Sequence, residues 1–129
     1  MDWKVRAIRG ATTAEANTQE AIAVAVTELL DDIQQRNELD PEEIINVIFT
    51  ATADLDAVFP AKIARQRNKW DSVPLLDVQQ MAVESSLKLC IRVLIQFNTQ
   101  KKQAEIQHSY LRHASNLRPD LSLTPVINS

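Results

Sequence analysis

Arg92 stands in the middle of Cys90-Ile91-Arg92-Val93-Leu94-Ile95, a run that otherwise reads as a fully buried strand. Taking a guanidinium out of water is costly unless an anion meets it. Nothing in its own strand can be that anion, so the partner is a carboxylate elsewhere in the chain or an anionic ligand. Other cations hold comparable places. Trp3, Val5 and Ala7 alternate onto one strand face, and Arg9 continues that face and ends it with a charge. The small, turn-like Gly10-Ala11-Thr12-Thr13 follows. Phe59-Pro60-Ala61-Lys62-Ile63-Ala64-Arg65 reads as a helix start with proline near its first position. Lys62 and Arg65 then share a helical face. In Leu117-Arg118-Pro119-Asp120-Leu121, Arg118 precedes a proline, where the backbone is held extended. Taken singly, each cation reads as a solvated charge or a structural ion pair. Together, beside strand ends and helix starts, they suggest a pocket for a ligand with two carboxylates.

The elements that must position these residues belong to a small chain. Its 129 residues suffice for one domain, 1–129, with a real core. A net charge of -3 gives no electrostatic case for nucleic acid, and no basic stripe interleaved with aromatics is present. The single cysteine, Cys90, excludes a disulfide framework within the chain and fits a reducing cytoplasm. Neither a signal-peptide hydrophobic region nor a membrane-length apolar segment is present. His108 and His113 have no cysteine companions, which argues against zinc. With Gly10 the only glycine, no phosphate-cradling glycine loop can be built.

Asn17-Thr18-Gln19-Glu20 fits a capping box with Asn17 as the cap. Ile22, Val26, Leu29, Leu30 and Ile33 then recur at helical spacing, predicting an amphipathic helix over 18–36 whose polar face needs no functional reading. Ile44 to Phe49 predicts a buried strand. Thr50 to Phe59 reads as a long loop leading into a short helix over 60–68. Val73-Pro74-Leu75-Leu76 reads as a short strand that begins at a proline, hence at a sheet edge. Residues 79–88 allow a helix or an irregular turn, and a strand over 90–97 follows. From Lys101 to His113 the composition leans helical, although Ile106, His108 and Tyr110 also alternate. The tail after about residue 118 reads as irregular and partly mobile. These elements predict an α/β fold, a mixed sheet of about five strands with one long helix. One helix cannot cover both faces of such a sheet, which points to an oligomer.

Arg6-Ala7-Ile8-Arg9-Gly10-Ala11-Thr12-Thr13, Ala57-Val58-Phe59-Pro60-Ala61-Lys62, Cys90-Ile91-Arg92-Val93 and Leu117-Arg118-Pro119-Asp120-Leu121-Ser122-Leu123 resemble the monofunctional chorismate mutases of the AroH class. The four blocks keep the order and spacing of that family in a chain of its length. The resemblance implies a cytoplasmic homotrimer, a pseudo-α/β-barrel with active sites at the subunit interfaces. It implies the cofactor-free rearrangement of chorismate to prephenate in phenylalanine and tyrosine biosynthesis, with no metal. It also implies roles. Arg92 donates to the ether oxygen and a neighbouring carboxylate, and Arg9 and Tyr110 clamp the side-chain carboxylate. Arg65 and Lys62, from the neighbouring subunit, stand near the ring carboxylate. Phe59 and Ala61 wall the pocket, and Leu117 and Arg118 close it from the tail.

One departure from the family concerns charge. The family's cysteine and, three residues on, its glutamate that accepts from the ring hydroxyl are here Asp77 and Gln80. A carboxylate swap is expected, with Asp77 on the same pocket wall holding the hydroxyl and Gln80 a neutral acceptor. A second departure, Glu84-Ser85-Ser86 in place of a glycine pair, predicts another path for this loop, because positive φ strains serine. Two other readings remain, a non-catalytic dicarboxylate-binding trimer of the same fold and a trimeric imine-hydrolysing deaminase. The motif blocks argue against the second.

Overall fold

The computed structural model describes residues 2–117, so Arg118 and the tail behind it lie outside the described residues. The chain runs β1 (Lys4–Thr13), α1 (Gln19–Asn37), β2 (Ile44–Ala51), α2 (Pro60–Arg65), β3 (Leu75–Gln79), β4 (Cys90–Thr99) and β5 (Ser109–Tyr110). The strands form one sheet of order β3-β2-β4-β1-β5. Central β4 is antiparallel to both β1 and β2, while the edge pairs β2/β3 and β1/β5 are parallel. This is the predicted mixed five-stranded sheet with one long helix, and β3 is an edge strand as Pro74 implied.

Helix α1 covers one sheet face. Ile22, Val26, Leu29, Leu30 and Ile33 are fully buried, against Ile8, Val47, Phe49, Ile91 and Ile95. The cap is Thr18 rather than Asn17, its Oγ1 accepting the Ala21 N–H at 3.1 Å. Trp70, also fully buried, ties α1 to the residues after α2. Its indole N–H and Arg67 Nη2 both donate to Gln34 Oε1, and Arg67 also pairs with Asp31 at 2.9 Å.

Gly10 is not a turn residue. It lies inside β1, beneath α1, where a Cβ would stand 2.9 Å from Ile33 Cδ1 and 3.1 Å from both Val93 Cγ1 and the Ser109 carbonyl oxygen. Close approach of helix, sheet and β5 explains why the chain's only glycine is here. Gly10→Ala should therefore lower stability by about 1–3 kcal/mol through overpacking. The check is a reduced urea midpoint at unchanged slope.

The opposite sheet face is left largely open by the described residues, apart from Ala11, which is buried with Tyr110 and Ala114. Val5, Leu76 and Val78 stand exposed on it, with Trp3 beside them at 59% exposure. Strand β4, expected to be buried on both faces, alternates instead between buried odd-numbered and half-buried even-numbered residues from Ile91 onward. Arg92 is thus on the open face and only half-buried. Two other expectations fail. Residues 103–105 and 112–116 are single 3-10 turns flanking β5, not one helix, and helix α2 ends at Arg65 rather than residue 68.

Candidate active site

Two clusters of the expected site residues form in the chain. The first lies on the open face, where Ala11 of β1 is in register with Arg92 of β4 on one side and Tyr110 of β5 on the other. Strand alternation puts Arg9 on the same face as Ala11. Small Ala11 therefore forms a floor between two arginines and a tyrosine. Leu117 packs beside Tyr110 and Ala114, with Leu87 across from it. Gln80 reaches the cluster from just beyond β3, its Oε1 accepting from Arg92 Nε at 3.1 Å.

The second cluster surrounds α2. Pro60 opens this helix with Phe59 as its extended cap residue, and Lys62 and Arg65 are exposed on it. Phe59 and Lys62 line a groove of about 480 Å³ together with Asp77, while Ala61 is buried beneath. Phe59, at 68% exposure, stands out among the described residues as a largely exposed apolar ring.

Asp77 belongs to this second cluster, which corrects its expected place beside Gln80. It is in register with the core residue Phe49, so it points to the helix-covered side of the sheet. Its Oδ1 accepts the Ala61 N–H at 3.0 Å, fastening β3 to the start of α2. The other carboxylate oxygen accepts no hydrogen bond among the described residues. Burial pushes the Asp77 carboxyl above the ordinary aspartate range, while the Ala61 N–H and the nearby Arg65 charge act in the opposite direction. Gln80, three residues on, has the opposite strand parity and meets Arg92.

Charge pairing marks three arginines as structural but does not by itself single out the site cations, since Lys4, Arg6, Lys69, Lys88 and Lys102 are in no ion pair among the described residues either. Arg36, Arg67 and Arg112 each meet a carboxylate within 3.2 Å. Arg9, Lys62, Arg65 and Arg92 are in no ion pair among the described residues. Of the two partners that Arg92 allowed at the outset, a carboxylate within this chain is therefore absent among the described residues. Cys90 is buried next to Arg92. Burial raises its thiol pKa and the Arg92 charge lowers it, burial having the larger effect.

Sequence reasoning missed several supports of these clusters. Asn17, freed from capping, anchors the loop before Phe59, its Oδ1 accepting the Asp56 and Ala57 N–H groups at 3.0 Å. Two adjacent cap-type residues were the available signal, since only one can cap. His108 Nδ1 accepts the Arg9 backbone N–H at 2.9 Å, holding the end of the first cluster. Asp54 accepts the Leu89 N–H at 3.0 Å, just ahead of β4. Residues 80–89 form an irregular loop in which Ser85 keeps a positive φ of 67°. Serine thus holds the left-handed conformation that was expected to be avoided, at a cost of about 1 kcal/mol.

The fold is a mixed α/β sheet whose open face and short second helix carry two clusters of cations in no ion pair among the described residues. The family described as chorismate mutase type I matches residues 5–121. Chorismate mutase AroH of Bacillus subtilis (strain 168) is 45% identical over 120 residues, covering 93% of this chain and 94% of its own. Chorismate mutase AroH of Thermus thermophilus is 48% identical over 118 residues, covering 91% and 96%. Among solved structures, a chorismate mutase from Clostridium thermocellum superposes with a TM-score of 0.81 at 44% identity, covering 84% of this chain and 96% of that one. This chain belongs to the type I chorismate mutases and is an isomerase.

Proposed function

We propose that chorismate is rearranged to prephenate in a site completed between two copies of this chain in a homotrimer. One subunit supplies Arg9, Arg92, Gln80, Tyr110 and Leu117, and by the family resemblance Arg118, which lies outside the described residues. Its neighbour supplies Phe59, Ala61, Lys62, Arg65 and Asp77. The whole chain, 1–129, acts as one such domain, in the cytoplasm, on the path to phenylalanine and tyrosine. Among the described residues no helix is long and apolar enough to cross a membrane.

The observation that carries this reading is the state of Arg92. Its Nε is fixed by the neutral Gln80 amide at 3.1 Å, and no carboxylate of the described chain neutralises it. Rearrangement of chorismate moves no proton through the protein and forms no covalent intermediate. The ether C–O bond breaks as the new C–C bond forms, with negative charge developing on the ether oxygen and positive charge across the ring. A guanidinium held at one nitrogen still offers its terminal N–H groups to that oxygen, and it is oriented before the charge appears. Arg9 and Tyr110, around the Ala11 floor, hold the side-chain carboxylate over the ring, which removes conformational freedom in advance. The opposing cluster brings Lys62 and Arg65 to the ring carboxylate. Asp77 comes with them and answers the positive charge on the ring, its second oxygen accepting from the ring hydroxyl. The carboxylate swap thus operates across the interface.

Mixed trimers test this arrangement. Arg92→Ala and Arg65→Ala trimers should each be nearly inactive, measured as loss of chorismate ultraviolet absorbance. After the two are unfolded and refolded together, a site that draws Arg92 from one subunit and Arg65 from the other is intact, so activity should return. No recovery in a verified mixed trimer would place both arginines in one subunit's site. Ligand binding by the unaltered protein without prephenate formation would favour a dicarboxylate-binding protein instead.

A further inference from the structure

We propose that Arg112 is a positioning residue for substrate binding: anchored to Glu28 of α1, it holds Tyr110 and Leu117 in their substrate-ready places. The inference rests on the reading of those two residues as substrate contacts. Arg112 has no part in the motif blocks that carry the family resemblance, and no assigned role in the reaction.

Three observations meet at this residue. Strand β5 is only Ser109–Tyr110, paired to β1 over two positions, and the ladder ends with the Leu111 N–H on the Ala11 carbonyl at 2.9 Å, so the segment beyond Leu111 has no strand partner to direct it. Immediately afterwards the chain turns sharply, with Arg112 at a positive φ of 53°. A non-glycine residue keeps that conformation when its surroundings over-determine it. The surroundings here are carboxylates. Arg112 Nε and Nη2 meet the two Glu28 carboxylate oxygens at 2.9 and 3.3 Å, and Nη1 meets Glu15 Oε1 at 3.2 Å. A two-point contact of this kind fixes direction as well as distance.

The turn so fixed decides where the segment beyond it goes. The His113 N–H donates to Thr13 Oγ1, and the 3-10 turn over 112–116 returns Leu117 to Tyr110, Ala114 and Leu87. Arg112 and Leu117 line one cleft of about 1110 Å³ with the 85–89 loop. When the anchor is lost, Tyr110 and Leu117 spend part of their time elsewhere. Apparent affinity then falls by the fraction of chains still competent to bind. The bound complex restores the same geometry, so the barrier from that complex is unchanged and the effect falls on KM rather than kcat.

The test is steady-state kinetics on chorismate with Arg112→Ala, Arg112→Lys, Glu28→Ala and the Arg112→Ala/Glu28→Ala double variant, each accompanied by a thermal melt. Arg112→Ala should raise KM about 3- to 10-fold and leave kcat within about twofold. Arg112→Lys should recover part of the loss. Glu28→Ala should add less than about twofold once Arg112 is gone, because the two act as one unit. An unchanged KM in Arg112→Ala overturns the proposal, as does a fall in melting temperature with no kinetic change. Tyr110→Phe separates the two levels of the argument. If it raises KM and Arg112→Ala does not, only the positioning role fails. If Tyr110→Phe also leaves KM unchanged, the assignment of Tyr110 to the site fails with it.

Discussion

Arg92→Ala lowers turnover of chorismate about 100- to 1000-fold, the loss expected when a preorganised donor to a developing oxyanion is removed. The size follows from how little else on the open face can do the same work. Gln80 offers the ether oxygen at most a neutral amide N–H, Tyr110 a neutral hydroxyl, and Arg9 is assigned in the proposed site to the substrate's side-chain carboxylate. The fold should not suffer. Arg92 is half-buried, pairs with no carboxylate among the described residues, and its hydrogen bonds to Gln80 and Cys90 are to neutral side chains. Removing it strands no opposite charge, so melting of the variant should stay close to that of the parent. Arg92→Lys should recover only part of the activity, since an ammonium lacks the planar fork that meets Gln80 and substrate together. A loss below tenfold in Arg92→Ala would remove Arg92 from the role assigned to it.

Asp77→Asn separates a structural carboxylate from an electrostatic one. The asparagine carbonyl still accepts the Ala61 N–H, so β3 stays fastened to α2, but the charge is gone. Roughly half a unit charge on the ring about 5 Å from the carboxylate, at an effective dielectric of about 20, is worth about 1.7 kcal/mol, or close to 20-fold in rate. The pH dependence carries the sign. Burial raises the Asp77 carboxyl above its ordinary value in the folded chain. Activity that needs the carboxylate should therefore fall on acidification at a higher pH than an ordinary aspartate gives, and this limb should vanish in Asp77→Asn. Stability runs the other way. A carboxyl raised by folding contributes stability below its unfolded pKa, and that contribution is lost as pH rises through the folded value. At neutral pH the ionised group is a cost, so Asp77→Asn should melt no lower than the parent at pH 7 while losing activity. Gln80→Glu in the Asp77→Asn background should recover rate by returning a carboxylate to the site. Full turnover in Asp77→Asn would confine Asp77 to its bond with Ala61.

Arg92 drew notice as a cation within an apolar run, but that run is buried on one face only, and Arg92 is half-buried on the other. Helix α1 was legible because five apolar side chains at helical spacing have one way to be buried together, and all five are. The residues around Tyr110 were not. Their composition leaned helical, yet β5 is a two-residue strand fixed by pairing with Gly10 and Ala11, residues roughly a hundred positions earlier. Local propensity carries no trace of such a partner. Asp77 and Gln80 misled for a related reason. Three residues apart and read on one pocket wall, they fall on opposite sides of the sheet because an odd spacing reverses the face along an alternating strand. Only the pairing of Asp77 with Phe49 shows which side is the core.

Residue type and short-range period were enough for the long helix, the principal strands and the family, and they nominated the cations of the proposed site. Tertiary structure alone decided that these cations divide into two clusters, that Gly10 serves close packing rather than a turn, and that Arg112 reaches back to Glu28. Each of these is a contact between distant segments. Such contacts are selected by the burial and charge pairing of the whole chain, which no local stretch encodes.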